Sequence, residues 1–107
     1  PGLDFTLSAP HEWVPILSAI NHFNESPWLA WRTAFREIVK LMIQCRDKPT
    51  VESKYRLKKW CELGTGKNSE WVYYAAQDAK DFVDSNSDIM LSYDFQWLKN
   101  YYEQKYG

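Results

Sequence analysis

The amino-acid sequence predicts an all-α fold: a compact bundle of about five short helices preceded by an extended N-terminal arm. Apolar residues recur at steps of three and four along most of the chain, which is the period of an amphipathic helix. Ser, Thr and Pro precede several of these segments, and Gly or Pro follow them, as at helix ends. The 107 residues, 45% apolar and 25% charged, suit one globular core. We therefore expect a single helical domain over residues 1–107.

The first two elements are predicted from the opening residues. The stretch "PGLDFTLSAP" alternates apolar and polar side chains between Gly and Pro, a weak strand pattern. A lone strand would have no pairing partner in a helical protein, so we expect an extended arm that packs on helices. The next stretch, "HEWVPILSAINHF", predicts a first helix, in which Pro15 is tolerated only within the first turn.

The second predicted helix, residues 25–47, has the clearest signals. Ser26 suits the N-cap, Pro27 the first helical position, and Pro49 lies just past the end. Arg32, Arg36 and Lys40 recur every fourth residue and form one stripe. The apolar stripe, which we expect to face the core, consists of Trp28, Trp31, Phe35, Ile38, Met42 and Cys45.

Three further helices follow. Thr50 is predicted to cap the helix "VESKYRLKKWCEL", which Gly64 ends. The fourth helix runs from about Glu70 to Asp84, and its alanines would let another helix approach closely. The fifth runs from about Tyr93 to Tyr106 after the N-cap Ser92. Its predicted inner face is Phe95, Leu98, Tyr101 and Tyr102, whereas the recurring Asp78, Asp81 and Asp84 of the fourth helix are interpreted as a solvated outer face.

Charge is unevenly distributed along a chain whose net charge is only −1. Residues 28–67 contain ten basic and four acidic side chains, whereas residues 68–94 contain six acidic ones and a single lysine. The basic middle can pair with the acidic third inside the fold, or it can face a partner. The sequence leaves both interpretations of the basic residues open.

Catalysis and metal binding are not indicated. The two histidines, His11 and His22, have no nucleophile arrangement beside them, and their spacing and that of Cys45 and Cys61 match no structural zinc site. We therefore expect no enzyme activity, no metal and no cofactor. The two cysteines suit buried thiols in a reducing compartment, and no apolar run is long enough to span a bilayer. These features predict a cytoplasmic protein without a membrane partner.

Binding of another macromolecule is the function that the residue types favour. Trp and Arg dominate interface energetics, and a protein partner or a neighbouring domain of the parent chain is our leading hypothesis. Single-stranded nucleic acid is the alternative, because "KYRLKKWCELGTGK" interleaves basic residues with rings that can stack on bases. Self-association stays open. The predicted binding residues are Trp28, Arg32, Arg36, Lys40, Lys58, Lys59 and Trp60.

Three stretches together resemble the C-terminal part of large phage-encoded proteins of glycosyltransferase-like type. They are "SPWLAWRTAFREIVKL", "WVYYAAQDAKDFVDSNSD" and "YDFQWLKNYYEQKYG". The shared pattern consists of helix-core residues and contains no catalytic motif. The resemblance implies a phage or bacterial origin and a helical accessory domain beside a sugar-transferring enzyme.

Overall fold

The protein is all-α in a computed structural model that describes residues 16–20, 22, 26–63, 70–85 and 95–107. The helices are α1 (residues 16–20), α2 (Pro27–Asp47), α3 (Val51–Leu63), α4 (Glu70–Ser85) and α5 (Phe95–Tyr106). No strand occurs in these ranges, which confirms the predicted fold class. The radius of gyration is 13.5 Å, close to the ~13 Å typical of a compact domain of about this length. The predicted N-terminal arm, His11, Gly64 and Ser92 lie outside the described residues.

Helix α2 begins and ends where the sequence predicts. Ser26 has an extended backbone at the N-cap and Pro27 opens the helix, although the Ser26 side chain makes no capping hydrogen bond. At the other end, the amide of Lys48 donates to the carbonyl of Gln44 at 2.9 Å. The side of α2 that faces the core is wider than the predicted stripe. Its buried residues are Ala30, Trp31, Ala34, Phe35, Ile38, Val39 and Leu41.

Helix α3 starts with a reciprocal hydrogen-bonded cap. The amide of Ser53 donates to Oγ1 of Thr50 at 3.0 Å, and the amide of Thr50 donates to Oγ of Ser53 at 3.1 Å. Two backbone N–H groups that the helix cannot satisfy are thereby paired. The predicted capping role of Thr50 is confirmed.

The main interface of the fold joins α2 and α4, with α3 against both. Ala75 and Ala79 of α4 are completely buried, and their small side chains let the two helices pack closely. Phe35 of α2 meets Phe82 of α4 edge to face, with 5.6 Å between ring centroids. The predicted role of the alanines as a packing surface thus agrees with the structure.

Helix α5 contacts α2 and α4 mostly through aromatic rings. Tyr101 stacks on Trp31 at 6.0 Å, and Tyr102 meets the same indole edge to face at 5.2 Å. Leu98 is buried, as predicted, while Trp97 on the neighbouring position is 41% exposed. The aromatic share of the composition therefore serves in large part to hold α5 in place.

Candidate functional site

A buried carboxylate lies where α2, α4 and α5 meet. Asp78 of α4 is only 3% exposed. Its Oδ2 atom accepts hydrogen bonds from Nε1 of Trp31 at 2.8 Å and from the hydroxyl of Tyr106 at 2.6 Å. Its Oδ1 atom accepts from Nζ of Lys105 at 2.7 Å. A buried charge is costly unless it is paired and hydrogen-bonded, and here both oxygens are engaged.

The groups around Asp78 are held in defined protonation states. The hydrogen bond with Asp78 is the main cause that raises the pKa of Lys105. Burial first, and then the hydrogen bond to Asp78, raises the pKa of the Tyr106 hydroxyl. At neutral pH the Lys105 side chain is therefore an ammonium and the Tyr106 hydroxyl is neutral, and both donate to Asp78. Both oxygens of Asp78 accept hydrogen bonds from side chains of other helices, so Asp78 joins α4 to α2 and α5.

The prediction that Asp78 belongs to a solvated face is wrong. Asp81 and Asp84 are exposed, as predicted, but Asp78 faces the core. The sequence contained a signal for this, because Asp78 interrupts an apolar stripe of Trp71, Ala75 and Phe82 at steps of four and three. An acidic residue in the middle of such a stripe needs buried partners, and these come from α2 and α5.

Arg36 and Lys40 of α2 do not neutralise the acidic residues of α4 within the described residues. Arg36 and Lys40 are exposed one turn apart, on the side of α2 opposite the core. Within the described part of the chain neither forms an ion pair, whereas Asp78 pairs with Lys105 and Asp84 with Lys80. The alternative of internal pairing with α4 is therefore not realised for Arg36 and Lys40.

Trp28 and Arg32 lie together at the start of α2. Trp28 is half-buried, stacked on Trp31 at 6.0 Å and in edge contact with Tyr102 at 5.1 Å. The guanidinium of Arg32 lies 5.9 Å from the centre of the Trp28 ring. Lys99 of α5 adds a second cation, with its Nζ atom 4.8 Å from the same ring. Sequence reasoning missed Lys99, since only the packing of α5 brings it to α2.

The predicted binding residues of α3 separate into different environments. Lys58 is exposed. Lys59 lies over the ring of Tyr55 at 5.1 Å and bonds Glu62 at 3.1 Å. Trp60 is 2% exposed and belongs to the core. The expectation that Trp60 is an anchor on the exposed basic face must therefore be corrected, because α3 directs this side chain inwards together with Ser53.

Metal binding, thiol chemistry and membrane insertion are three other functions that depend on features of the described residues. No group of three His, Cys, Asp or Glu side chains there could hold a metal ion. The expectation of a buried thiol is wrong for Cys61, which is exposed. Desolvation of its sulfur by neighbouring atoms, together with the charge of Glu62, raises the pKa of the Cys61 thiol, which disfavours the reactive thiolate. Of the helices in the described ranges, none combines the length and the apolar character needed to cross a bilayer.

Comparisons with known proteins give no relative. No family model, no curated protein and no solved structure matches the chain. The resemblance to phage-encoded glycosyltransferase-like proteins accordingly stays a prediction. The arguments for a function come from the residues described above.

Proposed function

We propose that this chain is a non-catalytic binding module that recognises an acidic surface through the outward side of α2. The surface belongs to a protein partner or to a neighbouring domain of the parent protein. The observation that carries the proposal is the exposure of Arg36 and Lys40, one turn apart and without an ion pair among the described residues. Two exposed positive charges on a rigid helix favour a partner of opposite charge and guide its approach.

Ring geometry favours a protein partner over single-stranded nucleic acid. Nucleic-acid binders of that kind offer open aromatic faces on which bases stack. Here Trp60 is buried, Tyr55 has the ammonium of Lys59 over its ring, and Trp28 contacts Trp31, Tyr102 and two cations. The rings that the sequence associates with basic residues thus have their faces engaged within the protein.

The polar interior supports the non-catalytic part of the proposal. Asp78 is the buried carboxylate of the described core, and three protein donors occupy it. A general acid or base needs a proton-accepting atom that a substrate can reach. Neither oxygen of Asp78 is accessible to a substrate while α5 packs against α2 and α4.

The experiment is a binding titration of a fluorescein-labelled Glu-rich peptide, followed by fluorescence anisotropy. Exposed ion pairs contribute about 0.2–1 kcal/mol each. The double variant Arg36→Glu/Lys40→Glu replaces two attractions by two repulsions, so we expect Kd to rise about tenfold. The matched control is Lys48→Glu/Lys54→Glu, which changes net charge equally at exposed positions outside the proposed face.

Two results would contradict the proposal. Equal losses of affinity in the two double variants would mean that net charge alone drives binding. Much tighter binding of an oligothymidylate of similar length, with a steep salt dependence, would favour the nucleic-acid alternative. Wild-type affinity for the Glu-rich peptide should itself fall as salt screens the exposed charges.

The resemblance stated above supports the neighbouring-domain form of the proposal. In that form, the α2 face docks on the catalytic part of a longer glycosyltransferase-like protein of phage or bacterial origin. The open reading frame upstream of Pro1 tests this form. An initiating codon directly before Pro1 would exclude it and leave a separate partner protein.

A further inference from the structure

Four aromatic rings of α4 and α5 form a continuous surface at the edge of the core. The centroid of the Tyr74 ring lies 5.8 Å from that of Tyr73 and 5.7 Å from that of Trp71. Tyr106 of α5 joins the group, at 6.1 Å from Tyr74 and 5.3 Å from Trp71. Tyr73 and Tyr74 are 47% and 44% exposed. We call these four residues the aromatic surface, and clusters of exposed Trp and Tyr are typical of interfaces.

Rings elsewhere in the protein have a cation over them. Three such pairs, measured from Nζ to the ring centre, are Trp28 with Lys99 at 4.8 Å, Tyr55 with Lys59 at 5.1 Å and Tyr101 with Lys105 at 5.6 Å. The negative face of each ring attracts the ammonium. Among the described residues, no Lys or Arg lies in this way over a ring of the aromatic surface. The attraction for a cation is therefore available there to a partner.

Exposed carboxylates border the aromatic surface. Glu70 precedes Tyr74 by four residues on α4, and Glu103 precedes Tyr106 by three residues on α5, so each lies one helical turn from a ring on the same side of its helix. Both carboxylates are exposed, and neither forms an ion pair within the described ranges. Lys105, next to Tyr106 in sequence, is paired with the buried carboxylate of α4. The net charge beside the rings is therefore negative.

The ends of the two helices agree with this charge. The contact of Trp71 with Tyr106 places the last turn of α5 beside the first turn of α4. A helix has a partial negative charge at its C-terminal end and a partial positive charge at its N-terminal end. Glu70 lies in the first turn of α4 and offsets the positive end, whereas the end of α5 attracts cations. The aromatic surface thus favours a cation over an anion.

We infer that the aromatic surface is a second docking site, which binds an Arg or Lys side chain of a basic polypeptide segment. This site goes beyond the proposed function, because it has the opposite charge preference to the α2 face. Arg suits it best, since a planar guanidinium can stack on a ring and still donate hydrogen bonds to a carboxylate. Bases could stack on the same rings, but Glu70 and Glu103 repel the phosphates of a nucleic acid.

The inference is tested with a fluorescein-labelled peptide of alternating Arg and Gly residues, titrated with the full chain and followed by anisotropy. Tyr73→Ala/Tyr74→Ala removes two rings and should raise Kd about tenfold. Tyr73→Phe/Tyr74→Phe keeps the rings and should stay within about twofold of the wild type. This pair of variants separates the ring faces from the hydroxyl groups.

Charge variants provide a second test that does not alter the aromatic packing. Glu70→Gln should raise Kd about threefold. The matched control is Asp84→Asn, which removes the same charge from an exposed position about 20 Å further along α4 and should leave Kd unchanged. If the double alanine variant fails to fold, Glu70→Gln against Asp84→Asn decides the question.

The outcomes are distinct from those of the proposed function, because Arg36→Glu/Lys40→Glu should not weaken binding of the Arg-Gly peptide. Wild-type affinity in Tyr73→Ala/Tyr74→Ala, equal effects of Glu70→Gln and Asp84→Asn, or no binding by the wild type would overturn the second docking site. A Gln-Gly peptide of the same length that binds as tightly would contradict recognition of a cation. A dimer in sedimentation that Tyr73→Ala/Tyr74→Ala abolishes would assign the surface to a second copy and also contradict the inference.

Discussion

The indole of Trp31 donates a 2.8 Å hydrogen bond to the carboxylate of Asp78, and both side chains are buried. This bond crosses the α2–α4 interface, the main interface of the fold. The same carboxylate binds Lys105 and Tyr106 of α5. A single acidic residue therefore joins three helices and sets the position of the C-terminal one.

Replacing Asp78 should destabilise the protein. Asp78→Ala leaves the buried Trp31 N–H without an acceptor and removes the partner of Tyr106, and each unsatisfied group costs about 1–3 kcal/mol. We expect the free energy of unfolding to fall by about 2–4 kcal/mol, as measured by urea denaturation followed by circular dichroism. The exposed Asp81→Ala is the control and should change stability by less than about 0.5 kcal/mol. Equal effects of the two substitutions would refute the structural role of Asp78.

Phe35 is a second residue whose replacement should strongly destabilise the protein. Its ring is completely buried between Trp31 and Phe82, at centroid distances of 4.6 Å and 5.6 Å. Phe35→Ala removes this packing and leaves a cavity, for which we expect a loss of about 3–5 kcal/mol. The measurement is again urea denaturation. A loss below about 1 kcal/mol would mean that the α2–α4 interface is not packed as described.

Stability should fall at alkaline pH. The pKa values of Tyr101, Tyr102 and Tyr106 are raised, mainly by burial, and that of Lys105 is raised by its hydrogen bond to Asp78. The folded state therefore holds its protons more tightly than the unfolded chain does. The stabilisation is complete below the unfolded pKa values near 10 and is lost as the pH rises through the folded ones.

The alkaline effect should depend in part on Tyr106. Thermal midpoints measured across pH 9 to 12 should decline less steeply in Tyr106→Phe than in the wild type, because one raised pKa has been removed. At neutral pH the same variant should lose about 1 kcal/mol with its hydrogen bond to Asp78. Identical slopes in the two proteins would contradict the assigned shift.

The cap of α3 gives a smaller, local prediction. Thr50→Ala removes the side-chain acceptor of the Ser53 amide and should cost about 1 kcal/mol. Lys54→Ala, at an exposed position of the same helix, serves as the control in the same denaturation experiment. If Thr50→Ala is as stable as the control, the cap does not contribute to folding.

Local signals explain what could be predicted from the sequence. The bounds of α2 and the cap of α3 follow from residues that lie within or beside those helices, such as Ser26, Pro27 and Thr50. By contrast, the partners of Asp78 and the position of Lys99 depend on contacts between distant helices. Helical period places Asp78 on the core side of α4, but it does not identify Lys105 or Tyr106 as partners.

Trp60 illustrates a second limit of sequence reasoning. It lies among basic residues in the sequence, which suggests a binding surface, and at a helical spacing that suggests the core. Burial decides between the two, and Trp60 is 2% exposed. Composition alone could not distinguish these, because consecutive side chains of a helix point about 100° apart, so a buried residue can directly follow a half-exposed basic one.

The most direct test of the proposed interface is a titration of ¹⁵N-labelled protein with the Glu-rich peptide, followed by two-dimensional NMR. We predict that shift changes concentrate at the backbone amides of Arg36 and Lys40. The outer side of α4, which carries Tyr73, Gln77 and Asp84, should show none. Shifts confined to α4, or no shifts when peptide is in large excess, would contradict binding of an acidic partner by α2.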